Sequence, residues 1–124
     1  MRVGLVVSGG VDRSGRERVI PAILAFIERI ARRHDVHVFV LRHAPQPCTY
    51  NLLGATVHDL GRVDGVPGLG RWRQERRLFA AVARTGPFDL LHAYWGVPAG
   101  IVCTRVAGRI GRPAIVTFDS GEFV

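Results

Sequence analysis

The stretch Arg2-Val3-Gly4-Leu5-Val6-Val7-Ser8, running into Gly9-Gly10-Val11-Asp12-Arg13-Ser14-Gly15-Arg16-Glu17, decides how the chain reads. Residues 2–8 form an apolar, valine-rich run, the pattern of a buried strand. A hydrophobic strand that enters a glycine loop and then a helix suits a phosphate, because N–H groups at a helix N-terminus attract anions. Gly10 and Gly15 have the G-x-x-x-x-G spacing of a P-loop. Arg16 and Glu17 stand where that motif needs Lys and Ser or Thr, so the phosphates lose their cation and Mg²⁺ its hydroxyl. A dinucleotide fingerprint fails too. There is no G-x-G-x-x-G, and Leu41 and Arg42 end the second strand where a ribose-binding acid belongs. Two readings of the loop stand. The glycines bring backbone N–H groups close to an anion, or they only make turns.

Outward from the loop, Val19, Ile23, Phe26, Ile27 and Ile30 fall at helical spacing, with Glu28, Arg29, Arg32 and Arg33 facing out. This predicts a helix over Val19 to Arg33, with Pro21 in its first turn. Residues 35–42 alternate and read as a second strand; residues 43–54, with Pro45 and Pro47, read as a loop. Residues 55–60 predict a third strand, 61–68 a Gly/Pro loop, and Leu69 to Arg84 a second helix. A fourth strand over 88–93, a third helix from Pro98 to Ile110 and a fifth strand over 113–118 follow. Strands alternating with helices predict an α/β fold: a Rossmann-like, doubly wound, mostly parallel sheet of about five strands in the order 3-2-1-4-5. Asp119-Ser120-Gly121-Glu122 has the spacing of a capping box opening another helix. The chain thus reads as the first part of something longer, with the fifth strand an apolar edge open to self-association.

The 124 residues suffice for one domain with a single core. The hydrophobic fraction is 48% and the charged fraction 22%, a globular balance. The net charge is +7, and all 17 basic residues are arginine. Such a charge favours nucleic acid, anionic membrane or phosphorylated ligands. No nucleic-acid recognition module is visible. Arg71, Arg73, Arg76 and Arg77 crowd one helix beside Trp72, either as a solvated face or as a contact for an anionic membrane surface. Cys48 and Cys103 make no disulfide framework, and Cys103 falls in an apolar helical pattern. A reduced, cytoplasmic chain is expected, peripheral to the inner face of the membrane if the arginine face is used. No run approaches the ~20 apolar residues of a membrane span, and no signal-peptide pattern opens the chain.

In open α/β sheets, ligands bind beyond the carboxyl ends of the strands, near the switch point. That selects the loops Ser8 to Arg16, Ala93 to Gly100 and Asp119 to Glu122, the first two facing each other across one crevice. Tyr94 and Trp95 on this rim can stack on a sugar or base, or pack against the neighbouring loop. His92 ends the fourth strand, either orienting the loop or sitting satisfied in the core. His34, His37, His43 and His58 lack metal-ligand spacing, and no metal is expected. No Ser-His-Asp, Cys-His or paired-carboxylate constellation occurs.

These loops together resemble a known family. Gly15-Arg16-Glu17-Arg18 resembles a G-G-x-E-R loop and helix start, and Ile30-Ala31-Arg32-Arg33-His34-Asp35-Val36-His37-Val38 resembles L-A-R-R-G-H-E-V-x-V. Asp89-Leu90-Leu91-His92-Ala93-Tyr94-Trp95-Gly96-Val97-Pro98-Ala99-Gly100 resembles D-V-V-H-A-H-W-G-x-P-A-G, and Ile115-Val116-Thr117-Phe118-Asp119-Ser120-Gly121-Glu122 resembles V-V-T-x-H-G-G-E. In this order they resemble the N-terminal half of GT-B-fold glycosyltransferases, in particular the retaining family 4. The resemblance implies two Rossmann-like domains around a cleft. Residues 1–124 would be a partial, acceptor-side N-terminal domain, and the C-terminal donor domain, which binds a nucleotide sugar, would be absent.

The resemblance further implies a donor-phosphate loop at Gly9, Gly10, Gly15 and Arg16. It implies acceptor binding by Tyr94, Trp95, Gly96, Asp119, Ser120, Gly121 and Glu122, with Asp119 at the catalytic position. Transfer would retain configuration and need neither metal nor cofactor, the nucleotide sugar being a substrate. The implied partners are a carbohydrate or glycolipid acceptor and the donor domain. Three residues depart from the pattern: Asp119 and Tyr94 stand for frequent histidines, and Arg16 for a frequent glycine. Two functions are carried forward. One is the acceptor-binding portion of a glycosyltransferase, inactive as this chain alone. The other is a non-catalytic partner or binding module that takes its donor site from another chain.

Overall fold

The computed structural model describes residues 1–42, 44–62 and 69–118. Six strands form one sheet: β1 (Arg2–Val7), β2 (Asp35–Val40), β3 (Cys48–Leu52), β4 (Ala55–Asp59), β5 (Leu90–Tyr94) and β6 (Ala114–Thr117). Three α-helices connect them: α1 (Pro21–Ala31), α2 (Gly70–Thr85) and α3 (Ile101–Ile110). The strand order is β3-β4-β2-β1-β5-β6, and every neighbouring pair is parallel except β3 with β4.

The valine-rich first run becomes the strand with helices over both faces. Leu5 and Val7 face α1, packing with Ile23, Ile27, Val38 and Val57. Val6 faces the other way, into a layer built with Phe39, Leu78, Leu91, Val102 and Val106 from α2, α3 and the neighbouring strands. Alternation along a strand explains the division, since successive side chains point to opposite faces. A Cβ at Gly4 would lie 2.6 Å from Leu91 Cδ2 and 3.3 Å from Phe39 Cε2, so the second layer closes directly onto the backbone there. Cys103 is fully buried in that layer, as its helical spacing predicts, and burial pushes its thiol pKa up to about 12.

The expected order 3-2-1-4-5 corresponds to β4-β2-β1-β5-β6, and β3 is added outside it. The stretch 43–54 is therefore not all loop. Residues 48–52 pair antiparallel with β4 through a two-residue turn, Leu53-Gly54, in which both residues have positive φ, 52° and 87°. Such a turn matches the right-handed twist of paired strands. Helix α1 starts at Pro21, so Arg16, Glu17 and Arg18 lie in the loop before it rather than opening it. Helix α3 starts at Ile101. Gly96–Gly100 forms an irregular turn, with Val97 extended at φ −136° and ψ 128°, where the spacing alone predicts helix from Pro98. Strand β6 lies at the sheet edge, with Ile115 and Phe118 about half exposed. No helix among the described residues is long and apolar enough to cross a membrane.

Two histidines are built into this sheet. His37 on β2 and His58 on β4 stack with ring centroids 5.2 Å apart, and His37 Nδ1 lies 2.9 Å from His58 Nε2. Phe39 and Phe88 pack around them. Burial lowers both pKa values below the ordinary 6.5. For His37 burial outweighs the opposing pull of Asp35; for His58 the neighbouring His37 and Arg84 add to it. The unfolded chain therefore binds more protons just below pH 6.5 than the folded one, and stability falls as pH falls through that window. The urea midpoint should be level above about pH 7 and drop towards pH 5.5. His58→Gln should flatten that drop; an unchanged slope would remove the pair as its source.

Candidate functional site

The register decides which loops meet. Val6 pairs with Ala93, so the loop after β1 and the loop after β5 leave the sheet side by side. This is the switch point of the doubly wound sheet: β2 lies on one side of β1 and β5 on the other. Gly9 and Gly10 follow β1 here, and Tyr94, Trp95 and Gly96 end and follow β5. Asp119, Ser120, Gly121 and Glu122 lie outside the described residues, as does His43.

Trp95 is held unusually. Its φ is +80° and its ψ 152°, a conformation essentially reserved for glycine. Its N–H donates to the Thr117 carbonyl oxygen at 2.6 Å, and its ring meets Tyr94 edge-on at 5.7 Å. A Cβ on Gly100 would come within 3.0 Å of the Trp95 carbonyl oxygen, so the start of α3 packs tightly behind it. Strain of this kind collects where a ligand must be met. Both aromatics also pack partly against the α1-side core, so stacking surface and support are combined in one place. His92 does not reach the loop. Its Nε2 lies 2.7 Å from Thr117 Oγ1 and its ring meets Phe26 edge-on, joining β5, β6 and α1. Burial lowers its pKa.

The glycine loop is not an open cradle of amides. Ser14 N–H donates to Asp12 Oδ2 at 3.2 Å and Gly15 N–H to the Asp12 carbonyl oxygen at 3.0 Å. Arg16 and Glu17 N–H groups donate to Ser14 Oγ at 3.2 and 3.0 Å. Ile20 N–H donates to the Gly10 carbonyl oxygen at 2.8 Å. Gly10 has φ +85°, and a Cβ there would strike Ile20 Cδ1 at 2.6 Å, so glycine is required both by conformation and by space. Gly9 and Gly10 follow β1 directly, whereas Gly15 lies towards the β3 end of the loop, where an added Cβ would lie 3.7 Å from Leu52 Cδ1. Ser8, one residue before Gly9, has a buried hydroxyl without a hydrogen-bond partner among the described residues.

The four helix arginines do not act as one patch either. The Arg77 guanidinium donates to the carbonyl oxygens of Leu60 and Arg62 at 3.1 and 3.0 Å, holding the end of β4. Arg71 and Arg76 remain exposed, and the Arg76 guanidinium lies 4.9 Å from the ring centroid of Trp72, which is 52% exposed. Asp12, Ser14 and Ser8 carry most of the loop's polar geometry and were not singled out from sequence. Asp12 and Ser14 are readable in principle, since both residue types turn the chain by bonding nearby amides.

A family model described as a glycosyl transferase 4-like domain matches residues 19–123. Among solved structures, the C-terminal domain of a hydrogenase from Pyrococcus furiosus aligns at TM-score 0.53 and 16% identity, over 94% of this chain and 90% of that one. A UGT transferase from Siraitia grosvenorii, solved in complex with UDP, aligns at TM-score 0.49 and 17% identity, over 94% of this chain and 24% of that one. No curated protein matches. At 16% identity the likeness to the hydrogenase domain speaks for the fold alone.

The backbone strain at Trp95 is measurable by a pair of variants. Trp95→Ala removes the ring and keeps a Cβ at φ +80°; Trp95→Gly removes both. The glycine variant should be the more stable by about 1 kcal/mol or more, despite the extra freedom glycine gains on unfolding. Urea denaturation compares them, and a more stable alanine variant would mean the backbone there is relaxed.

Proposed function

We propose, from the premise that this chain belongs to the glycosyl transferase 4-like domain family, that it forms the acceptor-side part of a retaining, metal-free glycosyltransferase. The carrying observation is the strained Trp95, with Tyr94 against it, at the end of the strand that neighbours the one leading into Gly9-Gly10. An aromatic rim suits the apolar face of a sugar ring. Backbone that comes close at Gly9 and Gly10 suits a donor phosphate, and Gly15 and Arg16 extend that site. Since the amides of Gly15 and Arg16 already have acceptors, Arg16 would contribute through its exposed guanidinium. Charge placed where a leaving diphosphate develops is the main catalytic lever of such a site.

Gly96 and the stretch Asp119, Ser120, Gly121 and Glu122 complete the acceptor side in this reading. Asp119 would accept hydrogen bonds from acceptor hydroxyls, because a carboxylate close to a diphosphate is repelled unless a cation intervenes. The nucleotide-sugar half of the site comes from a further domain or another chain. The purified 124-residue chain should therefore show no sugar transfer from nucleotide sugars, and transfer should appear once a donor domain is supplied. In that assembly Tyr94→Ala and Trp95→Ala should each raise the acceptor KM about tenfold, the order of one lost stacking contact, with the donor KM little changed. Turnover by the chain alone would overturn the divided site. Binding of both ligands without transfer would favour a non-catalytic binding module.

A second reading has its own observation, the exposed Trp72 under the Arg76 guanidinium on α2. Trp and Arg together suit the headgroup layer of an anionic bilayer. We infer contact with such a surface, at a cytoplasmic membrane face, through Arg71, Trp72 and Arg76. Co-sedimentation with anionic liposomes should fall when Arg71→Gln, Arg76→Gln and Trp72→Ala are combined. It should persist in Arg32→Gln on the opposite face; equal loss in both would reduce the effect to net charge.

A further inference from the structure

A second concave site opens on the side of the glycine loop away from Trp95, where the loop lies against the β3–β4 hairpin. It encloses about 270 Å³, and its polar walls are Asp12, Arg13, Arg18, Tyr50, Asp59 and Arg62. Pockets that take whole small ligands measure roughly 300–1,000 Å³, so this one suits a single charged group and a little of its carrier.

The charges in its walls are unequally committed. Asp59 is buried, and its two oxygens accept the N–H groups of Ala44 and Gly61 at 3.0 and 2.9 Å. Asp12 accepts the Ser14 N–H and pairs with the Arg18 guanidinium at 3.5 Å. Among the described residues no carboxylate pairs with Arg13 or Arg62, and both are exposed. Both line the pocket, Arg13 from the loop and Arg62 from just beyond β4. Arg13 lies 5.2 Å over the Tyr50 ring, and Tyr50 OH donates to the Val11 carbonyl oxygen at 2.6 Å, which fixes the platform beneath the guanidinium.

We propose that this pocket binds a phosphoryl group, held between the guanidiniums of Arg13 and Arg62 and distinct from the donor-phosphate position at Gly9-Gly10. Guanidinium presents a planar fork that matches phosphate oxygens two at a time. Two such forks match the −1.5 to −2 charge of a phosphomonoester at neutral pH better than the single charge of a carboxylate. The acceptor would then be phosphorylated. That assignment rests on the reading of the chain as an acceptor-side domain; binding of the group itself does not.

The test titrates the 124-residue chain with inorganic phosphate, with glycerol 3-phosphate and with acetate, following Tyr50 ring and arginine side-chain resonances by NMR. Saturable shifts at Tyr50 with either phosphate, in the millimolar range or tighter, and none with acetate, are expected. Arg13→Gln combined with Arg62→Gln should weaken binding at least tenfold. Arg13→Lys with Arg62→Lys, which keeps the charge and loses the fork, should restore part of it. Arg109→Gln should leave it unchanged. Tighter binding of glycerol 3-phosphate than of phosphate identifies a small phosphorylated acceptor, and the same shifts with vesicles containing phosphatidic acid, whose headgroup is a phosphomonoester, identify a lipid headgroup. The proposal fails if Tyr50 does not respond, if acetate binds equally, or if Arg16→Gln abolishes binding while the Arg13 and Arg62 variants do not. None of these failures touches the sugar-transfer reading, which is measured by the Tyr94 and Trp95 variants.

Discussion

The pairing of β1 with β2 on one side and β5 on the other is the constraint on which the rest depends. It makes β1 the strand that both helical layers must cover, with Leu5 and Val7 to one and Val6 to the other. It also sets what can meet at the top of the sheet. With Val6 opposite Ala93 and Val7 opposite Val40, the chain leaving β1 has β5's loop on one flank and the β2–β4 strand ends on the other. A shift of one residue in either register would turn every buried valine to the wrong layer. The hydrophobic burial that fixes the fold is thus what fixes the positions of Trp95 and Tyr50 relative to the glycine loop.

Within that frame the loop resolves a competition between its own side chains and a ligand. A glycine-rich loop has amides to offer, and a phosphate is a strong acceptor for them. Asp12 and Ser14 are also acceptors, held in place by the chain itself, and they take four of those amides first. The consequence is a loop that keeps its shape without an anion. What it presents outward is then chiefly arginine, a longer-range and more adaptable recognition than a backbone nest.

Much of the fold was legible because its signals were strong and local. The run Val3 to Val7, the alternation through Val36, Val38 and Val40, and the spacing of Ile23 and Ile27 each carry one period over a whole element. The added strand β3 was hidden for physical reasons. Residues 48–52 are half polar because one side of a sheet edge faces water, and Pro45 and Pro47 just before them argue for loop. Its turn carries Leu53 at φ +52°, where Asn or Gly would have announced a hairpin. The site was legible only in part. Rim position followed from strand order, and Tyr94 and Trp95 lie on that rim. The grouping of Arg13, Tyr50 and Arg62 comes from three separate segments, and no local pattern reports it. The same holds for Arg77, whose spacing places it with its neighbours while its hydrogen bonds tie it to the end of β4.

A shared scaffold cannot say what these loops do, since a hydrogenase domain aligns over nearly the same length. The information lies where the chain departs from its own rules. Among the described residues three non-glycine positions have positive φ: Arg18, Leu53 and Trp95. Leu53 is a hairpin turn and needs no other account. Arg18 stands in the wall of the pocket beside the hairpin, and Trp95 stands on the rim beside β5. Conformations of this kind cost of order 1–3 kcal/mol each and persist only where surrounding structure over-determines them. Here two well-filled layers supply that structure, and the cost falls on the two loops that leave the central strands. Local rules obeyed through the sheet and broken at its carboxyl rim are the pattern of a scaffold whose stability is spent at a site.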